Sequence, residues 1–387
     1  MINFTYQNPT QIVFGKDQIN ALETLMRPYQ KKTVLLVYGR QSIKDLGVYD
    51  HIVKTFNKLQ ITLVEEANVR PNPSMQSVLS GREKCIANKV DFVLAAGGGS
   101  VLDAAKAIAF AATMEKDDVW RVFLRETDAE KALPIGTILT LAATGSEANG
   151  NTVITNDDTE EKRSVAYPFL FPAFSIIDPA YTLSVNKHYT IAGSVDVIMH
   201  VFEQYFSPTD RTETSDYMAL GVVKSVIENT ERILQGDDEY QTRANISWAA
   251  TLGLNWLLQA GKIGDWATHR LSYPITQRFG ITHGFALSAI FPAWMETALA
   301  HNPEVMTKRL AFLGRELFGE DDAPRVIDHV RNLFARLGAP TTLQEAGCDL
   351  DEGTMDYFVQ NALALGPVGT VIEIEETKAR ELFNRAR

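Results

Sequence analysis

Five short apolar runs recur within the first 180 residues: TVLLVY (33–38), ITLVEE (61–66), DFVLAA (91–96), IGTILT (135–140) and AFSIID (173–178). Helical stretches separate them, and this alternation limits the fold more than any other feature. A strand buried on both faces reads as a continuous apolar run, and strands separated by helices pair in parallel. The pattern predicts an α/β domain built on a Rossmann-like parallel sheet covered on both faces. Helices are expected near 74–89, where Ser74 makes a natural cap, and near 100–113. From about residue 187 the period becomes helical, with helices expected at 187–206, 212–234, 239–260, 284–299, 303–317, 322–337 and 374–386. The reading is an α/β domain over 1–180 and an all-helical domain over 181–387, divided near Pro179 because the residue before a proline disfavours helix.

Composition narrows the function classes. The chain has 387 residues, 45% of them apolar, which is ample for two domain cores. A net charge of −11 argues against a nucleic-acid or anionic-membrane surface, since both need concentrated positive charge. No apolar run approaches the ~20 residues that span a bilayer. The start, MINFTYQNPTQIVFGK, lacks the basic and apolar segments of a signal peptide. Two distant cysteines, Cys85 and Cys348, make neither a disulfide framework nor a thiolate metal cage. A cytoplasmic location is the expectation.

DFVLAAGGGSVLDAAK places Gly97, Gly98 and Gly99 directly after a strand and before a helix near Ser100. Glycines let backbone N–H groups approach an anion, and a helix N-terminus offers unpaired donors and partial positive charge. A phosphate or pyrophosphate suits such a turn, and so does a tight βα turn with no ligand. The run is not G-x-G-x-x-G, and it follows the third strand rather than the first. A second loop, TLAATGSEANGN, carries Thr140, Thr144, Ser146 and Asn151 at the carboxyl end of a strand, where open α/β sheets place ligands. An ordinary surface loop with hydroxyl turns reads the same way.

In GSVDVIMHVFEQYF, Asp196 and His200 stand four residues apart and share a helix face within an apolar run. A buried carboxylate needs a partner. A local Asp–His hydrogen bond would supply one. So would a cation, because DWATHRLSYPITQRFGITHG adds His269 and His283. One carboxylate with three imidazoles suits a divalent metal such as iron or zinc, although the spacing matches no standard signature.

These segments together resemble the iron-containing (metal-dependent, group III) alcohol dehydrogenase family. GGGSVLDAAK, LAATGSE, GSVDVIMHVFEQY and THRLSYPITQRFGITHG carry the resemblance, with ANVRPNPSMQ and FSIIDPAYT extending it along the chain. DWATH and VYGRQSIKDLGVYD suggest the branch of NADPH-dependent butanol dehydrogenases and aldehyde reductases. The resemblance implies a dehydroquinate synthase-like architecture: a dinucleotide-binding domain, a helical domain, and an active site in the cleft between them. It implies Asp196, His200, His269 and His283 as ligands of one divalent metal, Fe2+ or Zn2+. It puts Gly97, Gly98, Gly99 and Ser100 on the pyrophosphate turn, with Asp103 after it, and Thr140, Leu141, Thr144 and Ser146 on the nicotinamide side. Lys162 falls near the cofactor ribose and Asn72 on the adenine side. Where many members carry a histidine four residues after the third ligand, this chain has Tyr273, a weaker proton relay near neutrality with its free pKa of ~10.

The cofactor expectation is NADP(H) over NAD(H). NAD-specific relatives tend to place an aspartate where the second-strand turn meets the ribose. Here Gly39 leaves room, Ser42 can donate, and Arg40 and Lys44 bring positive charge suited to a phosphate. The implied reaction is hydride transfer between NADP(H) and a small primary alcohol or aldehyde, catalysed by a homodimer. Trp256, Trp266, Phe279 and Tyr273 either narrow the substrate pocket or pack a core. Alternatives are a lyase or cyclase of the dehydroquinate synthase type, a polyol oxidoreductase like glycerol dehydrogenase, and a metal-braced protein without activity. The lyase needs a basic pocket for a polyanion, whereas the ligand segments carry only Arg270 and Arg278.

Overall fold

The computed structural model describes residues 1–30 and 32–387. It divides into two compact units, Gln7–Val185 and Asn186–Arg387 together with Met1–Tyr6. The division falls slightly beyond the expected 180, because the last strand is followed by a 3-10 segment, Pro179–Ser184, before Asn186 caps the next helix by accepting from the Tyr189 amide. The first six residues group with the helical unit. The Met1 ammonium donates to the Asp210 carbonyl at 2.8 Å and the Ile2 amide to the Gly261 carbonyl at 2.9 Å.

The first unit contains strands β1 (Gln11–Phe14), β2 (Thr33–Tyr38), β3 (Thr62–Glu66), β4 (Phe92–Gly97), β5 (Ile135–Leu139) and β8 (Phe174–Ile177) in a sheet of order β1-β8-β5-β4-β2-β3, every pairing parallel. Helices α1 (Leu22–Met26), α2 (Ser42–Asp45), α3 (Val48–Leu59), α4 (Met75–Ala87), α5 (Gly99–Ala111) and α6 (Asp118–Phe123) connect the strands. The pleat sends Leu35 and Val37 into a core with α4 and α5, and Val34 and Leu36 into a second core with α3 on the opposite face. Buried layers on both faces explain why the strands read as continuous apolar runs. Helices α1, α2 and α6, of four to six residues, are too short to show a helical period, and two longer features also escaped the sequence pattern. Helix α3 is amphipathic, with Val48, Ile52 and Phe56 turned inward. The antiparallel hairpin of β6 (Asn151–Asn156) and β7 (Glu161–Ala166) is too polar to look like a buried strand pair.

The second unit is helical, with α7 (Lys187–Tyr205), α8 (Glu213–Leu234), α9 (Tyr240–Gly253), α10 (Ala267–Phe279), α11 (His283–His301), α12 (Pro303–Leu317), α13 (Ala323–Leu337), α14 (Glu352–Ala362) and α15 (Glu376–Arg385). Helix α7 is buried nearly all round, as an apolar helix at the centre of a bundle must be. The helix expected at 239–260 ends at Gly253, and the chain to Trp266 is irregular, with Trp256 and Trp266 in left-handed backbone conformations. Helices α10 and α14 were not expected. Pro274 and several polar residues interrupt the pattern of α10, whose burial comes from its neighbours α11 and α14. No helix among the described residues is long and apolar enough to cross a membrane.

Candidate cofactor turn and metal centre

The turns singled out in the α/β unit lie together at one edge of the sheet. Tyr38 pairs with Ala96 and Gly97 with Leu139, so the segments after β2, β4 and β5 emerge side by side. From β2 the chain steps outward to β3, then returns to β4 on the other side of β2. That reversal makes the β2–β4 gap the switch point, where open α/β sheets form a crevice outside the strand ends. Arg40 and Ser42 are exposed beside it, and Gly39 is partly exposed. The Lys44 ammonium stacks over the rings of Tyr38 and Tyr49, at 5.7 and 5.1 Å.

The glycine run has a packing reason as well as a binding one. A Cβ on Gly97 would come within 2.6 Å of Val101, and one on Gly99 would collide with Thr144. Gly98 caps α5 in an extended conformation, and its Cβ would lie 3.2 Å from Leu141. The helix start can therefore sit close to β4 and to the loop after β5. Gly98 and Ser100 remain partly exposed there, at the N-terminus of α5, where a helix presents backbone amides and partial positive charge. Thr140 is buried, its amide donating to the Gly97 carbonyl at 3.0 Å. Lys162 donates to Asn72 Oδ1 at 2.9 Å, which brings two residues 90 positions apart together. Asp103 is directed into the protein: its carboxylate accepts from Ser146 Oγ and from the Val153 amide.

The metal candidates meet inside the helical unit. Asp196 and His200 lie on α7, His269 in the first turn of α10, and His283 at the first position of α11. The His200, His269 and His283 Nε2 atoms stand 3.9, 4.0 and 3.7 Å from the same Asp196 Oδ1. These distances are too long for hydrogen bonds. They are close to the ~3.4 Å that separates two ligands of one tetrahedral ion with bonds of about 2.1 Å. Asp196, His200 and His269 are all buried, and each offers a ligand atom within 4.8 Å of the other two. His283 reaches the cluster through Asp196, with its side chain 24% exposed. Burial pushes His200 down to about 4, with His269 adding to the effect and Asp196 opposing it, so near neutrality it is an uncharged imidazole with a lone pair to give. This donor set fits one divalent cation.

Two features shape the centre that the sequence reading did not pick out. Glu203 is 2% exposed and accepts from both the backbone N–H and the Nδ1 of His269, at 2.8 and 2.9 Å. That contact fixes the tautomer and leaves Nε2 as the donor toward the cluster. Glu203 is seven residues after Asp196 and three after His200, so the same helix-face rule could have found it. Burial pushes Glu203 up to about 8 against the pull of its amide donors. Asp265 is likewise raised, to about 7, by burial and by Glu203; it ties the entry of α10 to the amides of Thr370 and Val371. The second feature is Gly284. A Cβ there would collide with the Ala192 carbonyl, so only glycine lets α11 approach α7 closely enough to bring His283 to Asp196.

Aromatic rings border the cluster. Trp266 lies 5.4 Å from His269 and 5.6 Å from Trp256, and buried Tyr273 lies 6.2 Å from His283. Phe279 instead packs on Phe358.

A doubly wound α/β unit and a helical unit with a carboxylate–imidazole cluster fit the class of metal-dependent, nucleotide-binding enzymes. Comparison with known proteins gives the family. Residues 9–179 match the model for "Iron-containing alcohol dehydrogenase", and residues 190–386 match "Fe-containing alcohol dehydrogenase family, C-terminal". The chain belongs to the iron-containing alcohol dehydrogenase family, and it is an NAD(P)-dependent oxidoreductase of that kind. A probable NADH-dependent butanol dehydrogenase 1 of Bacillus subtilis (strain 168) is 40% identical over 95% of both chains. The NADPH-dependent aldehyde reductase YqhD of Escherichia coli (strain K12) is 34% identical over 90% of both. Among solved structures, the NADH-dependent butanol dehydrogenase A of Thermotoga maritima superposes with a TM-score of 0.94 at 37% identity, covering 100% of this chain and 99% of that one.

Proposed function

We propose that the chain interconverts small primary alcohols and aldehydes, with NADP(H) preferred over NAD(H) and one Fe2+ held by Asp196, His200, His269 and His283. The observation that carries this reading is the convergence of three imidazole Nε2 atoms, from three helices, on one Asp196 oxygen. A bound cation supplies Lewis acidity toward the substrate oxygen, and the nicotinamide supplies the hydride chemistry. The protein's part is to hold and orient. Glu203 keeps His269 in the donating tautomer, and Trp266 and Tyr273 set aromatic rings beside His269 and His283. The turn Gly97–Ser100 and the amides of α5 receive the pyrophosphate, and the Thr140–Ser146 loop meets the nicotinamide. Tyr273 is the candidate proton donor in place of a second histidine.

The relatives' names support an alcohol and aldehyde substrate and divide on the cofactor, with NADH-dependent and NADPH-dependent enzymes both among them. The turn Gly39–Ser42, with exposed Arg40 and no carboxylate in it, supports NADP(H). Two buried free cysteines, Cys85 and Cys348, fit a reducing cytoplasm. The sheet edge at β1, which among the described residues pairs with β8 alone, supports a homodimer, which gel filtration tests. The deciding experiment is a panel of straight-chain aldehydes assayed with NADPH and with NADH on protein of known iron content. Activity that scales with iron is expected, with kcat/KM higher for NADPH. A higher value for NADH overturns the cofactor preference, and no turnover by iron-loaded protein overturns the reaction.

A further inference from the structure

Helix α5 carries Gly99, Asp103 and Lys106 at spacings of four and three, which set them on one face. All three meet the chain that leaves β5. Gly99 packs against Thr144 with no room for a Cβ. Asp103 accepts from Ser146 Oγ at 2.7 Å and from the Val153 amide at 3.1 Å, and its own carbonyl accepts from Thr152 Oγ1 at 2.8 Å. Lys106 is 0% exposed. Its ammonium donates to the Ser146 carbonyl and hydroxyl at 2.6 and 2.8 Å, to the Asn149 carbonyl and Oδ1 at 2.8 and 3.2 Å, and to the Asn151 carbonyl at 2.9 Å.

Oxygens at such distances around a buried charge have the form of a monovalent-cation site, with the cation attached to the chain. A buried ammonium is costly unless paired and fully hydrogen-bonded. Asp103 and Glu147 supply the opposing charge and hold the ammonium up against burial, which pulls Lys106 down to about 8. The loop supplies the acceptors. Any movement of residues 146–151 would strand that charge, so the loop has one low-energy shape. A core that only needed filling would be served at lower cost by a methionine or leucine.

We propose that Lys106 is a positioning residue: its ammonium acts as a tethered monovalent cation that locks the Thr140–Asn151 loop in the shape required by the nicotinamide half of the cofactor. This inference rests on the assignment of that loop to the cofactor made under the proposed function. Asp103 then acts on the loop rather than on the cofactor itself.

The test compares two ligands at equilibrium, on protein with its metal in place: the nicotinamide cofactor that the wild type binds more tightly, and the matching ADP-ribose, which lacks the nicotinamide. In Lys106→Met the cofactor Kd should rise at least ~10-fold, and the ADP-ribose Kd should stay within about twofold. In Lys106→Ala, added ammonium or methylammonium should restore cofactor affinity in a concentration-dependent way, and Lys106→Met, whose side chain fills the space, should not respond. Asn149→Ala, which keeps the lysine and removes one acceptor, should show the same selective loss in weaker form. It decides the matter should the lysine variants fail to fold. Unchanged cofactor affinity overturns the proposal, as does an equal loss of both ligands or a Lys106→Ala protein deaf to added cations. A wild type that binds neither ligand instead removes the cofactor assignment.

Discussion

The two units of this chain build their candidate sites by different means. The α/β unit uses backbone: a glycine turn, helix amides and a loop at one sheet edge, all set by local strand–turn–helix pattern. The helical unit uses side chains: one carboxylate and three imidazoles drawn from α7, α10 and α11, spread over 87 positions from Asp196 to His283. A backbone site tolerates exchange of most side chains and fails when a glycine gains a Cβ. A side-chain site fails when any donor is lost or when a helix moves by a fraction of an ångström.

The largest expected effect separates the two directly. Asp196→Ala should abolish metal retention and turnover together, while cofactor affinity stays within about twofold. Metal content by atomic absorption and cofactor titration check it; loss of cofactor binding as well would break the separation. A matched pair of glycine variants comes next. Gly284→Ala should push α11 from Ala192, weaken metal binding by ~10-fold or more and cost about 1–3 kcal/mol of stability. Gly99→Ala should cost a similar amount through Thr144, but weaken the cofactor and spare the metal. If the two variants show the same pattern, the units do not divide the work.

Glu203→Ala should lower metal affinity by about 10–100-fold, measured by competition with a chelator, because His269 loses the acceptor that fixes its tautomer. Glu203→Gln keeps an acceptor oxygen and should recover most of it. Equal losses in both variants would point to packing rather than to tautomer control.

The smallest effect lies in the α/β core. Burial pushes the Cys85 thiol up to about 12 from its ordinary 9. The folded state therefore keeps a proton that the unfolded chain releases. Its contribution is complete below pH 9 and is lost as pH rises toward 12, reaching at most about 1.4 kcal/mol by pH 10. Chemical denaturation of wild type and Cys85→Ala at pH 8 and pH 10 should show a shallower alkaline loss in the variant. Parallel losses would mean that other groups dominate.

How much of this was legible in the sequence follows the same division. The strands β2, β4, β5 and β8 could be read because both sheet faces are buried there, which leaves apolar runs, and the half-buried edge strand β3 could be read by its short Leu63–Val64 run. The glycine turn could be read because strand, turn and helix are contiguous. In the helical unit, Asp196 and His200 could be paired by helix geometry alone, but nothing in their spacing reached His269 or His283. The polar, proline-bearing α10 did not look like a helix at all. Its helicity is a product of packing against α11 and α14, since tertiary burial outweighs weak intrinsic propensity. Glu203 passed unnoticed because an acid in an apolar helix declares a partner only when the partner is in view.

The sequence by itself determined the parallel sheet, the place where its strand ends open, and the helical character of the second half. Periodicity and glycine chemistry act over a few residues, so they are written locally. Only the tertiary structure decided that three histidines share one Asp196 oxygen, that Glu203 orients one of them, and that Lys106 is bound into a loop 40 residues away. Those relations depend on distances between helices. Such distances are fixed by close contacts like Gly284 against Ala192, which no run of residues spells out in advance.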